Sequence, residues 1–249
     1  MKVTLTEMHS IQDAIRTMYM SRRTWTSEKE VEISNAVNDS VDRFGKPFAG
    51  TWDSGLKTRQ DFCDMVNKLF KYGQYHITML RFLDMSVIVE GLHRGATDDF
   101  DSHAKRMENR IIRSSTRLAD YTPDEMSDWY ADKIIPTDVA LGYLKIKAPV
   151  EFEHDGKTYV RAGGGYILKG YENNKDVKRG LYTLALPMTF TFKVNVVEFA
   201  HIYRERGSRS GGANGTAAPE LQIMVEQLAD QLQEWYPMLT RDYLLKIRN

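Results

Sequence analysis

Residues 194–232 have the sequence VNVVEFAHIYRERGSRSGGANGTAAPELQIMVEQLADQL, which places two helical patterns on either side of a glycine-rich break. Asn195 is a favourable N-cap, and the apolar residues after it recur at helical spacing; they are Val196, Phe199, Ala200 and Tyr203. Arg206 ends this predicted helix directly before Gly207. A second amphipathic helix is predicted from Ala217, with its apolar positions at Leu221, Met224, Val225, Leu228 and Leu232.

The preceding residues predict a strand that leads into this helix. It lies within residues 182–195, where Phe190 and Phe192 alternate with polar residues, and Pro187 indicates an edge position or a bulge near its start. Further back, residues 138–169 predict strands joined by a hairpin at Asp155 and Gly156, since Asp-Gly is a strong hairpin signal.

The N-terminal half is predicted to be mainly helical. Helices are expected over residues 9–21, 28–44 and 58–73, the second opening on a Ser27 cap, and a buried strand is expected over residues 79–91. A short helix is predicted to start at Thr122, where proline follows at the first helical position.

Composition limits the classes of protein to consider. Lysine and arginine total 34, and aspartate and glutamate also total 34, so no overall field attracts nucleic acid, which argues against a nucleic-acid partner. The N-terminal residues do not resemble a signal peptide, and no apolar run is long enough to span a membrane. One cysteine, Cys63, suits a reducing compartment, so we expect a cytoplasmic protein without a membrane partner.

The arginines after Asn195 have two interpretations. Arginine at the end of a helix complements the negative end of the helix dipole, which contributes about 0.3–1 kcal/mol. A planar guanidinium also suits the carbonyls and phosphate of a nucleotide, because charge-assisted bonds are strong. The six histidines show no spacing typical of a metal site, so no metal is expected.

The order strand, asparagine, helix, arginine, loop and glutamate-containing helix resembles the C-terminal half of flavin-dependent thymidylate synthases. Residues 176–206, DVKRGLYTLALPMTFTFKVNVVEFAHIYRER, match that family's pattern without a gap, with Arg179, Asn195 and Arg206 at its arginine, asparagine and arginine positions. The segment APELQ at 218–222 stands where the family has a glutamate-containing helix start.

An upstream segment carries a second part of the resemblance. Residues 71–95, KYGQYHITMLRFLDMSVIVEGLHRG, resemble the strand before the family signature, and RSSTRLADY at 113–121 resembles its Ser-x-Arg end. The Arg-His-Arg element of that signature is absent. Ser102–Ala104 and Lys105–Met107 are alternative registers for it, and both stay open.

The resemblance implies roles for individual residues. Arg206 is implied as the catalytic residue that activates the pyrimidine. The implied nucleotide-binding residues are Arg113, Ser114, Ser115, Thr116, Arg117, Arg179 and Arg206. The implied cofactor-binding residues are His76, His103, Lys105, Arg106, Asn195 and His201, the last replacing the usual asparagine.

The resemblance also implies a fold and an activity. Residues 1–249 are expected to form one α+β domain, with a mixed or antiparallel central sheet flanked by helices. The implied reaction transfers a one-carbon unit to C5 of a deoxypyrimidine monophosphate, with FAD as cofactor and methylenetetrahydrofolate and NADPH as co-substrates. The implied assembly is a homotetramer whose sites form between subunits.

Several alternatives stay open at this point. The first substrate is dUMP, giving dTMP, but dCMP and a hydroxymethyl product remain alternatives within the same fold. A descendant that binds nucleotides or nucleic acid without catalysis is an alternative of another class, favoured by the basic cluster at 103–117. Flavin-free thymidylate synthases need a cysteine nucleophile, whereas Cys63 lies within a helical pattern that predicts a core thiol.

Overall fold

The computed structural model describes residues 1–101, 110–114, 126–130, 133–135, 137–162, 165–174, 177, 179–181, 183–207 and 218–247. Its strands are β1 (Lys2–His9), β2 (Asp84–His93), β3 (Arg110–Arg113), β4 (Glu151–His154), β5 (Lys157–Ala162), β6 (Gly165–Leu168) and β7 (Pro187–Asn195). Its α-helices are α1 (Ile11–Ser21), α2 (Ser27–Asn38), α3 (Lys57–Gly73), α4 (Arg94–Asp101), α5 (Thr137–Tyr143), α6 (Val196–Arg206), α7 (Pro219–Trp235) and α8 (Arg241–Lys246). Short 3₁₀ helices span Ile77–Phe82 and Arg179–Leu181.

Four strands form one sheet in the order β1-β2-β7-β3, and β4, β5 and β6 form a second sheet in chain order. The contacts divide the chain into two compact units. The larger unit comprises Val3–Ile88, His103–Ile111 and Thr191–Asn249, and the smaller comprises Met1–Lys2, Val89–Ser102 and Ile112–Phe190. Helices together with antiparallel sheets confirm the predicted α+β class.

The larger unit has a core of helices packed on one another. Helices α1, α2 and α3 pack pairwise, and α6 packs against α7, α8 and the 3₁₀ helix at Ile77–Phe82. The fully buried side chains include Ile15, Ile33, Phe62, Phe70, Phe199, Tyr203 and Tyr236. Burying each large apolar side chain stabilises the fold by about 1.5–3 kcal/mol, so this core holds the elements that carry Asn195 and Arg206.

The smaller unit contains the three-stranded antiparallel sheet. Strand β4 pairs with β5 through Phe152 and Tyr159, and β5 pairs with β6 through Tyr159 and Leu168. Asp155 and Gly156 join β4 to β5, both with positive φ, as a type I′ turn requires. The predicted hairpin at these two residues is therefore confirmed.

Several predicted boundaries are wrong. Residues 2–9 form β1 instead of remaining unassigned, and α2 ends at Asn38, after which Ser40 bonds only three residues back and Val41 forms a bridge with Pro47. The strand predicted over 79–91 begins only at Asp84, since Ile77–Phe82 forms a 3₁₀ helix. The strands predicted from residue 138 begin at Glu151, after α5.

The interpretation of Pro187 as an edge signal is also wrong. Strand β7 has β2 on one side and β3 on the other, so it is a central strand of its sheet. Pro187 is its first residue, where a missing N–H group costs the ladder little. The alternation of Phe190 and Phe192 is confirmed, because both side chains are buried. The helix predicted from Thr122 lies outside the described residues.

Candidate functional site

The helix start at Asn195 has the geometry that the sequence predicts. The Asn195 backbone is extended, and its side-chain oxygen accepts a hydrogen bond from the N–H of Glu198 at 2.9 Å. The N–H of Val196 donates to the carbonyl of Leu83 at 3.0 Å, which ties the helix to the end of the 3₁₀ segment. Asn195 is 4% exposed, so its amide is fixed by the cap and by its burial.

Arg206 occupies the last position of α6, as predicted. Its Nε atom is buried although the side chain as a whole is half-buried. The next residue, Gly207, donates its N–H to the carbonyl of Tyr203 at 2.7 Å, and a Cβ there would lie 2.6 Å from the same oxygen. Only glycine fits this close turn, and it fixes where the helix stops behind Arg206.

A hydrogen-bond chain holds the turn that carries Arg206. The buried Tyr203 donates its hydroxyl to Glu226 of α7 at 3.0 Å. Glu226 also accepts from Arg241 of α8 at 2.7 Å, and Arg241 donates to Asp230 at 2.6 Å. The bond to Glu226 raises the pKa of Arg241 above its usual range, so its charge is permanent. This chain, Tyr203–Glu226–Arg241–Asp230, joins three helices at the end of α6.

His76 lines an open cavity in the larger unit. His76 directly precedes the 3₁₀ helix at Ile77–Phe82, and its backbone N–H donates to the carbonyl of Tyr72 at 3.0 Å. The cavity has a volume of about 670 Å³ and is lined by Thr17, Ser21, Arg22, Tyr72, Tyr75, His76, Ile77, Thr78 and Met79. This size is within the range of small-molecule and cofactor sites.

A stacked cation and ring form one wall of this cavity. The guanidinium carbon of Arg22 lies 4.0 Å from the centre of the Tyr72 ring, which is a favourable cation–π distance. Beneath them, Gly73 allows close packing, because a Cβ at this position would lie 2.6 Å from the side chain of Leu80. Sequence reasoning found His76 but missed Arg22, since it lies about 50 residues earlier in the chain and outside the matched segments.

In the smaller unit, Arg113 belongs to a cluster of charges. Arg113 pairs with Asp98 of α4, and Arg94 lies 3.9 Å from the other oxygen of the same carboxylate. Two guanidiniums therefore approach one carboxylate. All three side chains are between 32% and 46% exposed, which leaves them accessible to an anion.

Ser114 directly follows Arg113 and is fixed by β7. Its N–H donates to the carbonyl of Thr189 at 2.8 Å, and its hydroxyl accepts from the N–H of Thr189 at 3.3 Å. Sequence reasoning missed Arg94 and Asp98, although their i, i+4 spacing at the start of a helix could have indicated a pair.

Nearby, His93 shapes the backbone that carries Arg94. The Nδ1 atom of His93 accepts from the N–H of Ala96 at 3.0 Å, and the ring packs edge-on against Tyr130 with centres 5.0 Å apart. The N–H of Arg94 donates to the carbonyl of Leu186 at 2.9 Å. These contacts fix the start of α4, so the position of Arg94 is determined by buried neighbours.

The remaining predicted site residues divide into two groups. His201 is described on α6, where it is half-buried, and Arg179 begins the second 3₁₀ helix. The others lie outside the described residues: His103, Lys105, Arg106, Ser115, Thr116 and Arg117, together with the side chain of Arg179. Their roles, and the choice of register for the Arg-His-Arg element, stay predictions.

Cys63 differs from the predicted core thiol, because it is only partly buried. Its sulfur donates to the carbonyl of Thr51 at 3.5 Å, and burial raises the pKa of the thiol. A thiol with a raised pKa is a poor nucleophile at neutral pH. Within the described residues, no group of three or more histidine, cysteine, aspartate and glutamate side chains is arranged to hold a metal. None of the described helices has the length and apolarity needed to cross a membrane.

No protein-family model matches this sequence, and no curated protein does. Several solved structures do match this chain. Thymidylate synthase X (ThyX) from Helicobacter pylori, with FAD and dUMP, matches with a TM-score of 0.53 at 12% identity, over 98% of this chain and 100% of that one. A second structure of this flavin-dependent enzyme with FAD and dUMP matches with a TM-score of 0.54 at 12% identity, over 97% and 99%.

The chain has the fold of the flavin-dependent thymidylate synthases. The UMP/dUMP methylase PolB from Streptomyces cacaoi, bound with 5-Br dUMP, is also similar, with a TM-score of 0.51 at 9% identity over 97% of this chain and 93% of that one. The resemblance inferred from residues of about 73–121 and 176–245 is confirmed at the level of the fold. On the thymidylate synthase fold, Asn195 and Arg206 open and close one helix, and His76 lines a cavity of the same unit.

Proposed function

We propose that this chain is a flavin-dependent enzyme that transfers a one-carbon unit from methylenetetrahydrofolate to C5 of a deoxypyrimidine monophosphate, converting dUMP to dTMP. The observation that carries the proposal is helix α6, which starts at a buried Asn195 cap and ends at Arg206 on the thymidylate synthase fold. Similar proteins with this fold hold FAD with dUMP, or a brominated dUMP.

The cavity beside His76 fits one part of a dinucleotide cofactor. The Arg22 guanidinium stacked on Tyr72 offers a planar, positively charged wall, and planar rings and phosphates both interact well with such a surface. Hydroxyl groups of Thr17 and Thr78 can donate hydrogen bonds to phosphate oxygens. FAD, when bound, supplies the redox chemistry that the side chains lack. Asn195, His201 and His76 are the described residues that we assign to it.

Arg206 is proposed to bind the pyrimidine and stabilise charge that develops on its ring. A guanidinium offers two parallel N–H donors, which suit the carbonyl and ring nitrogen of a planar base. The Nε atom of Arg206 is buried, and the bond from Tyr203 to Glu226 fixes the last helical turn, from which this side chain extends. Preorganised donors act most strongly where water is partly excluded, so this placement favours the transition state.

Phosphate binding is proposed for the segment that begins at Arg113, as the family resemblance implies. Arg113 and Ser114 stand at the start of the predicted phosphate segment, and Ser115, Thr116, Arg117 and Arg179 complete it as predictions. The second guanidinium of the cluster, Arg94, adds positive charge beside Arg113 through the shared Asp98. NADPH as reductant and assembly as a homotetramer belong to the same proposal.

The decisive experiment combines cofactor analysis with a product assay. The purified protein should be yellow and should release FAD on denaturation. Incubation with methylenetetrahydrofolate, NADPH and either dUMP or dCMP should give dTMP from dUMP, identified by mass spectrometry. A product from dCMP alone, or one carrying a hydroxymethyl group, would support the corresponding alternative. A colourless protein that neither takes up FAD nor forms product would overturn the proposal in favour of a non-catalytic descendant.

A further inference from the structure

One face of the three-stranded sheet in the smaller unit carries a group of aromatic rings. Residues directly opposite each other in an antiparallel sheet point to the same side. The pairs Phe152–Tyr159 and Arg161–Tyr166 therefore share one face, since Tyr159 and Arg161 are two residues apart on β5. We name this side, with its three rings and its cations, the basic aromatic face.

The three rings are in contact and open to solvent. The rings of Phe152 and Tyr159 are stacked, with centres 5.7 Å apart and planes at 19°, and Tyr166 meets Phe152 edge-on at 4.8 Å. Phe152 is 39% exposed, and the two tyrosines are partly exposed. The Tyr166 hydroxyl donates to the carbonyl of Pro149 at 2.7 Å, which fixes this ring.

The charges are distributed unequally between the two faces of this sheet. The pair His154–Lys157 lies on the basic aromatic face beside Arg161, while Glu151 and Glu153 alternate to the other side. There, Lys169 pairs with Glu151 at 3.1 Å. The described strand residues of the basic aromatic face include no carboxylate, but Asp155 in the adjoining turn lies 3.4 Å from Nε2 of His154.

The opposite face is packed in part, at β6. Ile167 on β6 is 3% exposed. A Cβ added to Gly165 would lie 2.7 Å from the Leu181 side chain, so that residue covers the sheet closely on this side. The sheet therefore buries Ile167 on this side, where Glu151 and Glu153 stay exposed, and carries the aromatic rings and cations on the other.

We propose that the basic aromatic face binds single-stranded nucleic acid, with bases stacked on the rings and a phosphate near the exposed Lys157. Exposed rings on a sheet stack on bases without regard to sequence, and nearby cations follow the phosphate chain. A second copy of this chain fits less well, because a two-fold contact of this face would bring cations against cations. The net charge of zero excludes long-range attraction, so the interaction is local and of modest affinity.

Fluorescence anisotropy with labelled 12-mers tests the rings. The full-length protein should bind oligo-dT and oligo-U more tightly than a 12-mer duplex, and comparing the first two separates DNA from RNA. Phe152→Ala should weaken binding about tenfold, the scale of losing one stacked base, and Phe152→Leu should recover little of it because leucine has no flat ring. Circular dichroism checks that both variants are folded.

A matched pair of lysines tests the charges without touching the rings. Lys157→Gln should reduce the slope of log affinity against log salt by about 0.7, the value for one phosphate contact on a single strand. Lys169→Gln, on the opposite face of the same sheet, should leave the slope unchanged. Equal effects of the two lysine variants would overturn the assignment of the site to this face.

Two further outcomes would also overturn the proposal. One is the absence of binding by the wild-type protein to either oligonucleotide at low salt. The other is a change in sedimentation of the Phe152→Ala variant without nucleic-acid binding, which would assign the face to a second copy of the chain. The outcome does not depend on the proposed enzyme activity, because dUMP turnover should be the same in wild type and in Lys157→Gln.

Discussion

The two groups of arginines that we assign to the nucleotide differ in how they are held. Arg206 ends a helix whose last turn is fixed by the buried Tyr203, and this tyrosine is bonded to Glu226 and through it to Arg241. Arg113 instead forms an ion pair with Asp98 at the surface of the smaller unit. Arg206 is therefore partly buried on a helical turn that is fixed by hydrogen bonds, whereas the Arg113 ion pair is exposed to water.

The difference indicates what each arginine can contribute. A partly buried group held by neighbours interacts with developing charge at a low effective dielectric constant and loses little entropy on binding. An exposed ion pair contributes little to stability, with a median of about 0–1 kcal/mol, but its partners can be exchanged for an incoming anion. We therefore expect Arg206 to affect turnover and Arg113 to affect affinity.

The largest expected effect tests the rigid arginine. Arg206→Lys keeps the charge but loses the planar pair of donors, so turnover of dUMP should fall about a hundredfold, or about 2.7 kcal/mol, with a much smaller change in nucleotide affinity. Steady-state kinetics and direct nucleotide binding measure the two quantities separately.

The matched control for this variant lies on the same turn. Arg204 donates to the carbonyl of Ile247, so Arg204→Lys should leave turnover within a few-fold of wild type. Equal turnover of the Arg206→Lys variant and the wild type would assign Arg206 to the helix dipole instead.

The second prediction concerns the network behind Arg206. In Glu226→Gln the acceptor for Tyr203 is retained, but the charge that pairs with Arg241 is lost. Both partners are under 20% exposed, so the free energy of unfolding should fall by about 2 kcal/mol in urea titrations. Asp230→Asn removes the more exposed partner, at 64%, and should cost less than about 1 kcal/mol. Comparable losses of unfolding free energy in the two variants would contradict the conclusion that burial strengthens the pair of Arg241 and Glu226.

The third prediction concerns two substitutions in the exposed cluster of Arg94, Asp98 and Arg113 that should change the affinity for dUMP in opposite directions. Arg113→Ala should weaken dUMP binding about tenfold, or about 1.4 kcal/mol, the scale of a charge-assisted bond. Asp98→Asn removes the carboxylate that competes with the phosphate, so it should strengthen binding a few-fold. Isothermal titration calorimetry at low salt measures both effects. If both variants weaken binding, Asp98 positions the arginine instead of competing with the ligand.

The smallest expected effect concerns the ion pair between Arg16 and Glu30 in the larger unit. It tests whether exposure to water limits the contribution of this pair to the free energy of unfolding. The hydrogen bond from Arg16 lowers the pKa of Glu30 from its ordinary value near 4.5 to about 2. A carboxylate with a depressed pKa stabilises the folded state above pH 4.5, and this contribution is lost as pH falls towards 2. Because the pair is partly exposed, Glu30→Gln should cost no more than about 1 kcal/mol at pH 7 and nothing near pH 2. A loss that does not depend on pH would contradict the ion pair as its source.

Features with a local cause were predicted well. The Asn195 cap, the end of α6 at Arg206, the buried alternation of Phe190 and Phe192 and the hairpin at residues 155–156 are all confirmed. Each depends on the backbone preferences of a few neighbouring residues or on their spacing. Such preferences act within one or two turns, so they are visible in the chain order.

Features that join distant segments were not predicted. The strand expected from residue 79 became a 3₁₀ helix up to Phe82, because its apolar residues pack against helices and not across a sheet. Pro187 looked like an edge signal and proved to be the first residue of a central strand. In both cases the conformation or the position of the segment was determined by neighbouring elements that come from distant parts of the chain.

By itself, the sequence determined which residues cap and end the helix that carries Arg206, and it indicated the fold through the order of its motifs. Only the tertiary structure decided that Tyr203 meets Glu226, that Arg22 stacks on Tyr72 beside His76, and that Arg94 and Arg113 share Asp98. The physical reason is the distance along the chain over which each kind of interaction acts. Capping and periodicity are properties of consecutive residues, whereas a side-chain contact between distant segments exists only once the buried core has brought them together.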